Sequence, residues 1–260
     1  VANAITSSGR QLLLWCKRQL EAWGHRVLYG DTDSLFVEVG GADAAAAESR
    51  GPQLVERLND SLRRHVLDRW GVESRLEIEL EKVYLKLFLP PIRGGGVGAR
   101  KRSAGLITRD GRLEVDFTGL EAVRRDWTDL ARRAQRDLYR RLFFGEPVES
   151  YLAATVADLR AGRLDEELVY RKALRKDLDA YTSTTPPHVA AARKLEGPPG
   201  RLISDLVTTG GPEPLEARHY PIDYQHYVEK QLRPIAEPVL AQLGLDFAKV
   251  IGDDRQMDLF

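Results

Sequence analysis

Residues 27–37 read VLYGDTDSLFV, and this stretch decides the fold around it. Two short apolar runs, residues 27–29 and 35–37, are typical of β-strands, and Gly30 and the small polar residues supply turn chemistry between them. The sequence therefore predicts a hairpin whose tip carries two carboxylates, Asp31 and Asp33.

Two acids this close repel each other unless something compensates them. At about 4 Å the repulsion is roughly 1 kcal/mol in water and about 4 kcal/mol at an effective dielectric constant of 20. A hard divalent cation, which prefers oxygen ligands, would offset that repulsion. We therefore interpret Asp31 and Asp33 as candidate metal ligands.

The composition allows one large core or two smaller ones and excludes several classes of protein. The chain has 260 residues, 43% of them hydrophobic, and no apolar run approaches the length that crosses a membrane. The single cysteine, Cys16, excludes an internal disulfide framework and fits a reducing cytoplasm. The 39 basic and 39 acidic residues cancel, so any attraction to nucleic acid must come from local clusters.

The chain starts with Val1, and its only methionine is Met257. Because a translated product normally begins with methionine, we expect this chain to be the C-terminal piece of something longer. That expectation limits every catalytic prediction below.

Apolar spacing around the hairpin predicts helices at Ile5–Trp23 and Leu54–Trp70. Partial alternation over Arg75–Pro90 predicts a long strand with an acidic face that includes Glu79. Such a face is most often simply solvated, but one or two of its carboxylates could also join the metal site.

A glycine cluster, Gly94–Gly96 with Gly98, has two interpretations. No Lys-Ser/Thr pair follows it, so we favour a hairpin tip over a phosphate-binding loop. The basic cluster Arg100–Arg102 then opens a predicted strand at Ser103–Ile107. It is either an ordinary solvated charge run or a phosphate contact beside the acidic turn.

From about Phe117 the pattern becomes mainly helical and charged. The segment Leu168–Tyr181 mixes four basic residues with two tyrosines, and the helix predicted at Tyr224–Leu243 is interrupted at Pro234 and Pro238. The other helices predicted in this half are a charged one within Phe117–Tyr151, a second at about Glu149–Ala161 and a short one that starts at Pro186–His188 and ends near Leu195.

The stretch Tyr29–Ser34 resembles the acidic palm motif of family B DNA polymerases. Taken alone it is short, but further segments resemble that family in the right order along essentially the whole chain, most closely its bacterial members. These segments are Ile5-Thr6 with Gly9-Arg10, Lys101–Gly105, Gly119–Trp127, Lys172–Tyr181, Pro187–Ala192, and Tyr224, Tyr227, Gln231-Leu232 and Pro234.

The resemblance implies an α+β fold: the C-terminal part of a polymerase palm, an antiparallel sheet with helices, followed by a mainly α-helical thumb. The implied boundaries are 1–116 for the palm part, 117–250 for the thumb and 251–260 for a flexible tail. The implied protein is a DNA-directed DNA polymerase of replication or repair, a monomer in the cytoplasm, associated with the nucleoid and not with a membrane.

The resemblance also implies a mechanism in which two Mg²⁺ ions support transfer of a deoxynucleoside triphosphate to a primer 3′-hydroxyl. Asp33 is the implied principal ligand, Asp31 a secondary ligand or electrostatic helper, and Glu79 a third candidate. The implied contacts to primer-template DNA are Lys101, Arg102, Arg171, Lys172, Tyr181 and His188.

The C-terminal residues 256–260, Gln-Met-Asp-Leu-Phe, resemble the pentapeptide that binds the bacterial sliding clamp. Gln256 would anchor by hydrogen bonds, and Leu259 and Phe260 would fill an apolar pocket of that partner. The alternative is a tail that packs onto the thumb.

Two departures from the family matter. Ser103 stands where the family has a tyrosine, which puts one primer-template contact in doubt. The other metal-binding aspartate, the finger residues that hold the triphosphate and the exonuclease have no counterpart after Val1. We therefore expect that the 260 residues alone do not polymerise DNA.

Two rival functions remain open at this point. A catalytically inactive module that binds DNA or the clamp would have no reason to keep two repelling acids, so Asp31 and Asp33 favour the enzyme. A haloacid-dehalogenase phosphatase also carries Asp-x-Asp after a strand, but the immediate return strand with Ser34 argues against it.

Overall fold

The structure, a computed structural model, describes residues 2–40, 44–91 and 101–253, and the chain forms two compact units, Val1–Asp116 and Phe117–Phe260. Both units mix helices with small antiparallel sheets, which confirms the predicted α+β class. Within the described ranges, no helix is long and apolar enough to cross a membrane.

The first unit is built on two helices that support the acidic hairpin. Buried side chains of both helices form its core, and Val27, Leu35 and Val37 of the hairpin pack against them. Strands β1 and β2 pair with each other, and β3, β4 and β5 form a second sheet in that order. The elements are α1 (Ala2–Ala22), β1 (Arg26–Asp31), β2 (Ser34–Glu38), α2 (Ala44–Trp70), β3 (Lys86–Phe88), β4 (Ser103–Arg109) and β5 (Arg112–Thr118).

The long strand predicted at Arg75–Pro90 is wrong except for β3. The side chain of Asn59 on α2 explains why this segment does not form a long strand. Its Oδ1 accepts from the backbone N–H of Ile78 and its Nδ2 donates to the carbonyl of Ile78, both at 2.8 Å. The segment is thus fastened to a helix rather than to a strand, and Ile78 packs on the helical core.

The second unit packs helices around a three-stranded antiparallel sheet. Thr128 caps α3 by accepting from the N–H of Ala131, and Gly145 ends the helix in the left-handed conformation. The elements are α3 (Asp129–Phe144), α4 (Glu149–Arg160), β6 (Tyr170–Ala173), α5 (Pro187–Ala192), β7 (Leu202–Thr208), β8 (Gly211–Pro214), α6 (Tyr224–Tyr227), α7 (Arg233–Gln242) and α8 (Phe247–Val250).

The helix predicted at Tyr224–Leu243 is continuous, without interruption at either proline. A π-helical turn, Val228–Leu232, links α6 to α7 immediately before Pro234. Because a proline cannot donate to the carbonyl four residues back, a wider turn at this point accommodates it within one helical run.

Candidate active site and nucleic-acid interface

The acidic turn is a tight and strained connection between β1 and β2. Asp31 pairs with Ser34, which leaves Thr32 and Asp33 as the two loop residues. The N–H of Asp33 donates to the carbonyl of Asp31, and Thr32 between them has a φ of 48°. A β-branched residue rarely adopts this left-handed backbone, and such strain is typical of functional sites.

Neighbouring hydroxyls orient the two carboxylates. Thr32 Oγ1 donates to Asp31 Oδ1 at 3.0 Å, and Ser34 Oγ donates to Asp33 Oδ1 at 3.2 Å. The Asp33 side chain is exposed, whereas that of Asp31 is only 25% exposed. The turn therefore presents Asp33 outward and holds Asp31 closer to the protein.

Lys101 lies beside this turn, although it is far away in sequence. Its Nζ is 3.9 Å from Asp31 Oδ2, and its backbone N–H donates to the hydroxyl of Tyr29 at 3.1 Å. Lys101 also has a positive φ, 58°. Two residues with strained backbone, Thr32 and Lys101, are therefore close to each other at the acidic turn. The cation partly offsets the repulsion between the two acids, a role that the sequence did not reveal.

An aromatic cluster connects the acidic hairpin to β4. Phe36 lies 5.7 Å from Tyr29 and 6.1 Å from Tyr84, between ring centroids. The ring of Tyr84 covers Gly105 so closely that a Cβ there would overlap the ring carbon Cδ1. Burial, and then the nearby Asp116 carboxylate, raise the pKa of Tyr84 to about 12.

The close approach at Gly105 gives a paired prediction for stability. We expect Gly105→Ala to destabilise the first unit by about 1–3 kcal/mol, since overpacking a filled site costs that much. A methyl group at Gly9 in α1 would meet nothing within 4 Å, so we expect Gly9→Ala to stabilise the unit by about 0.5–1 kcal/mol. Denaturant unfolding of both variants measures this, and equal effects would contradict the packing argument.

The described residues hold no group of three or more histidine, cysteine, aspartate or glutamate side chains that could bind a metal ion. Glu79 is exposed on the segment that follows Ile78 and is not gathered with Asp31 and Asp33. The two carboxylates of Asp31 and Asp33 still fit Mg²⁺, because that ion is usually bound through one or two carboxylates together with substrate phosphates. Arg100, Gly94–Gly96 and Gly98 lie outside the described residues.

The two basic residues of β6, Arg171 and Lys172, differ in their ion pairs. The guanidinium of Arg171 is 3.2 Å from Asp129 Oδ2. Lys172 is exposed, and within residues 2–40, 44–91 and 101–253 no carboxylate lies within 4 Å of its Nζ. Lys172 is therefore the better placed of the two to contact a phosphate.

The other predicted DNA contacts lie in different surroundings. The hydroxyl of Tyr181 accepts from the N–H of Arg175 at 3.0 Å, and the Nζ of Lys176 lies 4.6 Å from the Tyr181 ring centroid. Arg102 is half-buried at the start of β4. His188 on α5 is buried, and burial followed by the field of Lys172 lowers its pKa.

Arg193, which the sequence did not single out, fastens the segment that carries Tyr181. Its guanidinium donates to the carbonyls of Leu178 and Tyr181 at 3.2 and 3.0 Å and to Thr185 Oγ1 at 3.2 Å. Three bonds from one side chain order this segment against α5. Contacts of this kind, between an arginine and the backbone carbonyls of a distant segment, are not visible as a motif in the sequence.

Comparison with known proteins decides the family. A sequence profile described as DNA polymerase family B matches residues 1–205. This chain belongs to DNA polymerase family B. The resemblance found in the sequence is thereby confirmed, and family B enzymes are DNA-directed DNA polymerases that depend on metal ions in general.

Relatives and one solved structure of family B match nearly the whole chain. DNA polymerase II of Escherichia coli (strain K12) is 40% identical over 272 residues, covering 100% of this chain and 34% of that protein. DNA polymerase 2 of Aeropyrum pernix is 32% identical, covering 99% and 30%. The family B DNA polymerase of Pyrobaculum calidifontis superposes with a TM-score of 0.59 at 29% identity, covering 95% and 30%. The chain thus spans about a third of the length of these relatives.

Proposed function

We propose that this chain works as part of a longer DNA-directed DNA polymerase, in which it supplies the acidic turn of the palm, the thumb and a clamp-binding tail. The observation that carries the proposal is the turn itself. Asp31 and Asp33 project from a strained connection that Lys101 and Tyr29 tie to the basic entry of β4. An inactive module would have no reason to maintain that strain.

Asp33 and Asp31 are the residues that would hold Mg²⁺ in this enzyme, with Asp33 as the principal ligand. Mg²⁺ held there would lower the pKa of the primer 3′-hydroxyl and would neutralise charge on the pyrophosphate leaving group. The hydroxyls of Thr32 and Ser34 keep the two carboxylates in place. Lys101 lies beside the turn, and Lys101 and the adjacent Arg102 would contact the phosphates of the primer-template.

The second unit acts in this proposal as the thumb that grips the duplex. Lys172 and Arg171 on β6 and the segment with Tyr181 would read the sugar-phosphate backbone, because a polymerase must accept every sequence. The free ammonium of Lys172 is the contact that the structure supports best, and Arg171 would have to exchange Asp129 for a phosphate.

Replacement of Arg171 and Lys172 together, each by methionine, is expected to weaken binding of all duplexes similarly. The log–log dependence of affinity on salt should become less steep by about 0.9 for each phosphate contact that is lost. Titration of labelled primer-template into the complete polymerase at several salt concentrations measures both quantities.

Arg63 and Arg64 on α2 provide a matched control, since Arg63 already pairs with the Asp60 carboxylate and Arg64 donates to the Asp60 carbonyl. Their double replacement by methionine should leave the salt dependence unchanged. A loss confined to one DNA sequence, or an unchanged slope in the β6 variant, would contradict the assignment of the thumb contacts.

The tail residues Gln256, Leu259 and Phe260 lie outside the described residues, and their role as a clamp-binding motif stays a proposal. The last described residue, Asp253, accepts a hydrogen bond from Arg160 at 3.2 Å, which fastens the start of the tail to the end of α4. Leu259 and Phe260 are large and apolar, and such side chains are suited to a pocket of another protein.

Deletion of residues 256–260 is expected to abolish the gain in processivity that a bacterial sliding clamp confers, while basal duplex binding stays the same. Primer extension with and without the clamp measures this, and replacing the last five residues by Gly-Ser repeats controls for tail length. Unchanged clamp affinity after the deletion would refute the motif.

A further inference from the structure

Asp205 lies at the centre of the sheet in the second unit. It pairs with Tyr170 of β6 on one side and with Pro214 of β8 on the other. Its side chain is 1% exposed, and its Oδ1 has no hydrogen-bond partner. An unpaired carboxylate at such a depth is costly, so the group requires an explanation.

Lys172 is placed on the same face of the sheet as Asp205. It pairs with Ile203, which is two residues from Asp205 along β7, and residues at this diagonal spacing are within reach of a long side chain. Asp205 is buried while Lys172 is exposed, so the carboxyl lies beneath the cation that the proposed thumb offers to DNA.

The electrostatics of the pair agree with this geometry. Burial raises the pKa of Asp205 to about 7, and the positive charge of Lys172 acts in the opposite direction. Because this pKa lies above that of an ordinary aspartate, the carboxyl is protonated below about pH 7 and ionised above it.

The two tyrosines around Asp205 have hydrogen-bond partners of their own. The Tyr170 hydroxyl is 3.1 Å from His226 Nε2, and the Tyr227 hydroxyl accepts from the N–H of Val207 at 2.8 Å. His188 on α5 is buried without a hydrogen-bond partner for its Nδ1 among the described residues, and burial, followed by the charge of Lys172, lowers its pKa.

Two further acids complete the surroundings. Glu213 on β8 pairs with Leu206, so it points to the opposite face, where it accepts from the N–H groups of His219 and Tyr220. Two hydrogen bonds from Arg124 hold Asp126 and lower its pKa, to which the charge of Lys172 adds a smaller effect. Of the three carboxyl groups Asp126, Asp205 and Glu213, Asp205 therefore shares the face of the sheet with Lys172 and has no arginine as a partner within the described part of the chain.

We propose that Asp205 is a positioning residue that acts through Lys172 and links the hold on duplex DNA to the uptake of a proton. The inference rests on the proposed function of Lys172 as a phosphate contact. Ionised Asp205 competes with the phosphate for the ammonium, whereas neutral Asp205 leaves the ammonium to the DNA. Binding of the duplex therefore favours the protonated carboxyl, and affinity falls as the pH rises.

Duplex affinity of the complete polymerase, measured across pH, tests the proposal. The unmodified protein should lose about threefold to tenfold in affinity between about pH 6 and about pH 8.5 beyond any loss seen in Asp205→Asn. Asp205→Asn, which imitates the neutral carboxyl, should match the unmodified protein at the lower pH and bind more tightly at the higher pH. A gain in affinity is a result that a merely damaged fold would not produce.

Calorimetry in buffers of different ionisation enthalpy adds a second measurement. The unmodified protein should take up a fraction of a proton on binding near neutral pH, and Asp205→Asn should take up less. Identical pH profiles and proton uptake in the two proteins would overturn the inference.

A third variant separates this inference from the proposed function. If Lys172→Met leaves duplex affinity and its salt dependence unchanged, the thumb contact itself is wrong. If Lys172→Met weakens binding but Asp205→Asn follows the unmodified protein at every pH, only the role of Asp205 is wrong.

Discussion

Asp33→Ala in the complete polymerase is expected to abolish nucleotide incorporation while duplex binding stays nearly intact. The exposed Asp33 is the carboxylate that the strained turn presents outward, and metal-ion catalysis stabilises the transition state by several kcal/mol. Since each 1.4 kcal/mol is about tenfold in rate, losing this ligand should slow incorporation by about a thousandfold or more. Single-turnover primer extension measures the rate, and a labelled primer-template measures the affinity.

Two further variants make this test specific. Asp33→Asn keeps the size of the side chain and its turn position but removes the charge, so it should be almost as slow as Asp33→Ala. Asp68→Ala, which removes an exposed carboxylate from α2, should extend primers at the normal rate. Primer extension retained by both Asp33 variants would remove this residue from the mechanism.

The acidic hairpin was predictable because its information is local. Short apolar runs on either side of small polar residues specify two strands and a tight turn, and the structure has them at Arg26–Asp31 and Ser34–Glu38. The helix predicted at Ile5–Trp23 is likewise present, as α1, because its apolar stripe is long and regular.

The segment at Arg75–Pro90 shows where local patterns fail. Its alternation is compatible with a strand, but Asn59 fastens it to α2 through Ile78, a contact between residues 19 positions apart. Strands β7 and β8 were missed for a related reason. β8 is short and consists of Gly211–Pro214 with two prolines, which depress any strand signal in the sequence, and Ser204 and Asp205 interrupt the apolar residues of β7.

The residues of the proposed site could be named from the sequence, but the contacts between them could not. Asp31, Asp33 and Lys101 were identified from the sequence, yet the contact between Lys101 and the acidic turn depends on how β4 lies beside β1. Asp205 gave no signal in the sequence at all. A single acid in an apolar strand becomes informative only when its burial and its diagonal relation to Lys172 are known.

A buried network at the start of the second unit carries the largest expected effect on stability. Gln135 on α3 accepts from the N–H of Ala122 at 2.6 Å and donates to Glu121 Oε2 at 2.9 Å. All three residues are buried. Arg136 adds a bond to the carbonyl of Ala122 at 2.7 Å, so consecutive residues of α3 fix both backbone groups of Ala122.

Gln135→Leu should therefore lower the free energy of unfolding of the second unit by about 3–5 kcal/mol. Leucine leaves the buried N–H of Ala122 without this acceptor and takes a donor from a buried carboxylate, and each loss costs about 1–3 kcal/mol, more for a charged group. Denaturant unfolding followed by the fluorescence of Trp127, the one tryptophan in residues 117–260, measures the change.

Gln225→Leu is the matched control, because Gln225 makes a single exposed hydrogen bond to Glu229 at 3.2 Å. Surface changes of this kind usually stay within about 0.5 kcal/mol. The comparison holds residue type and substitution constant and varies only burial and partners. If both variants lost the same small amount, the Gln135 network would not hold the start of this unit together, and the packing of α3 alone would have to explain its stability.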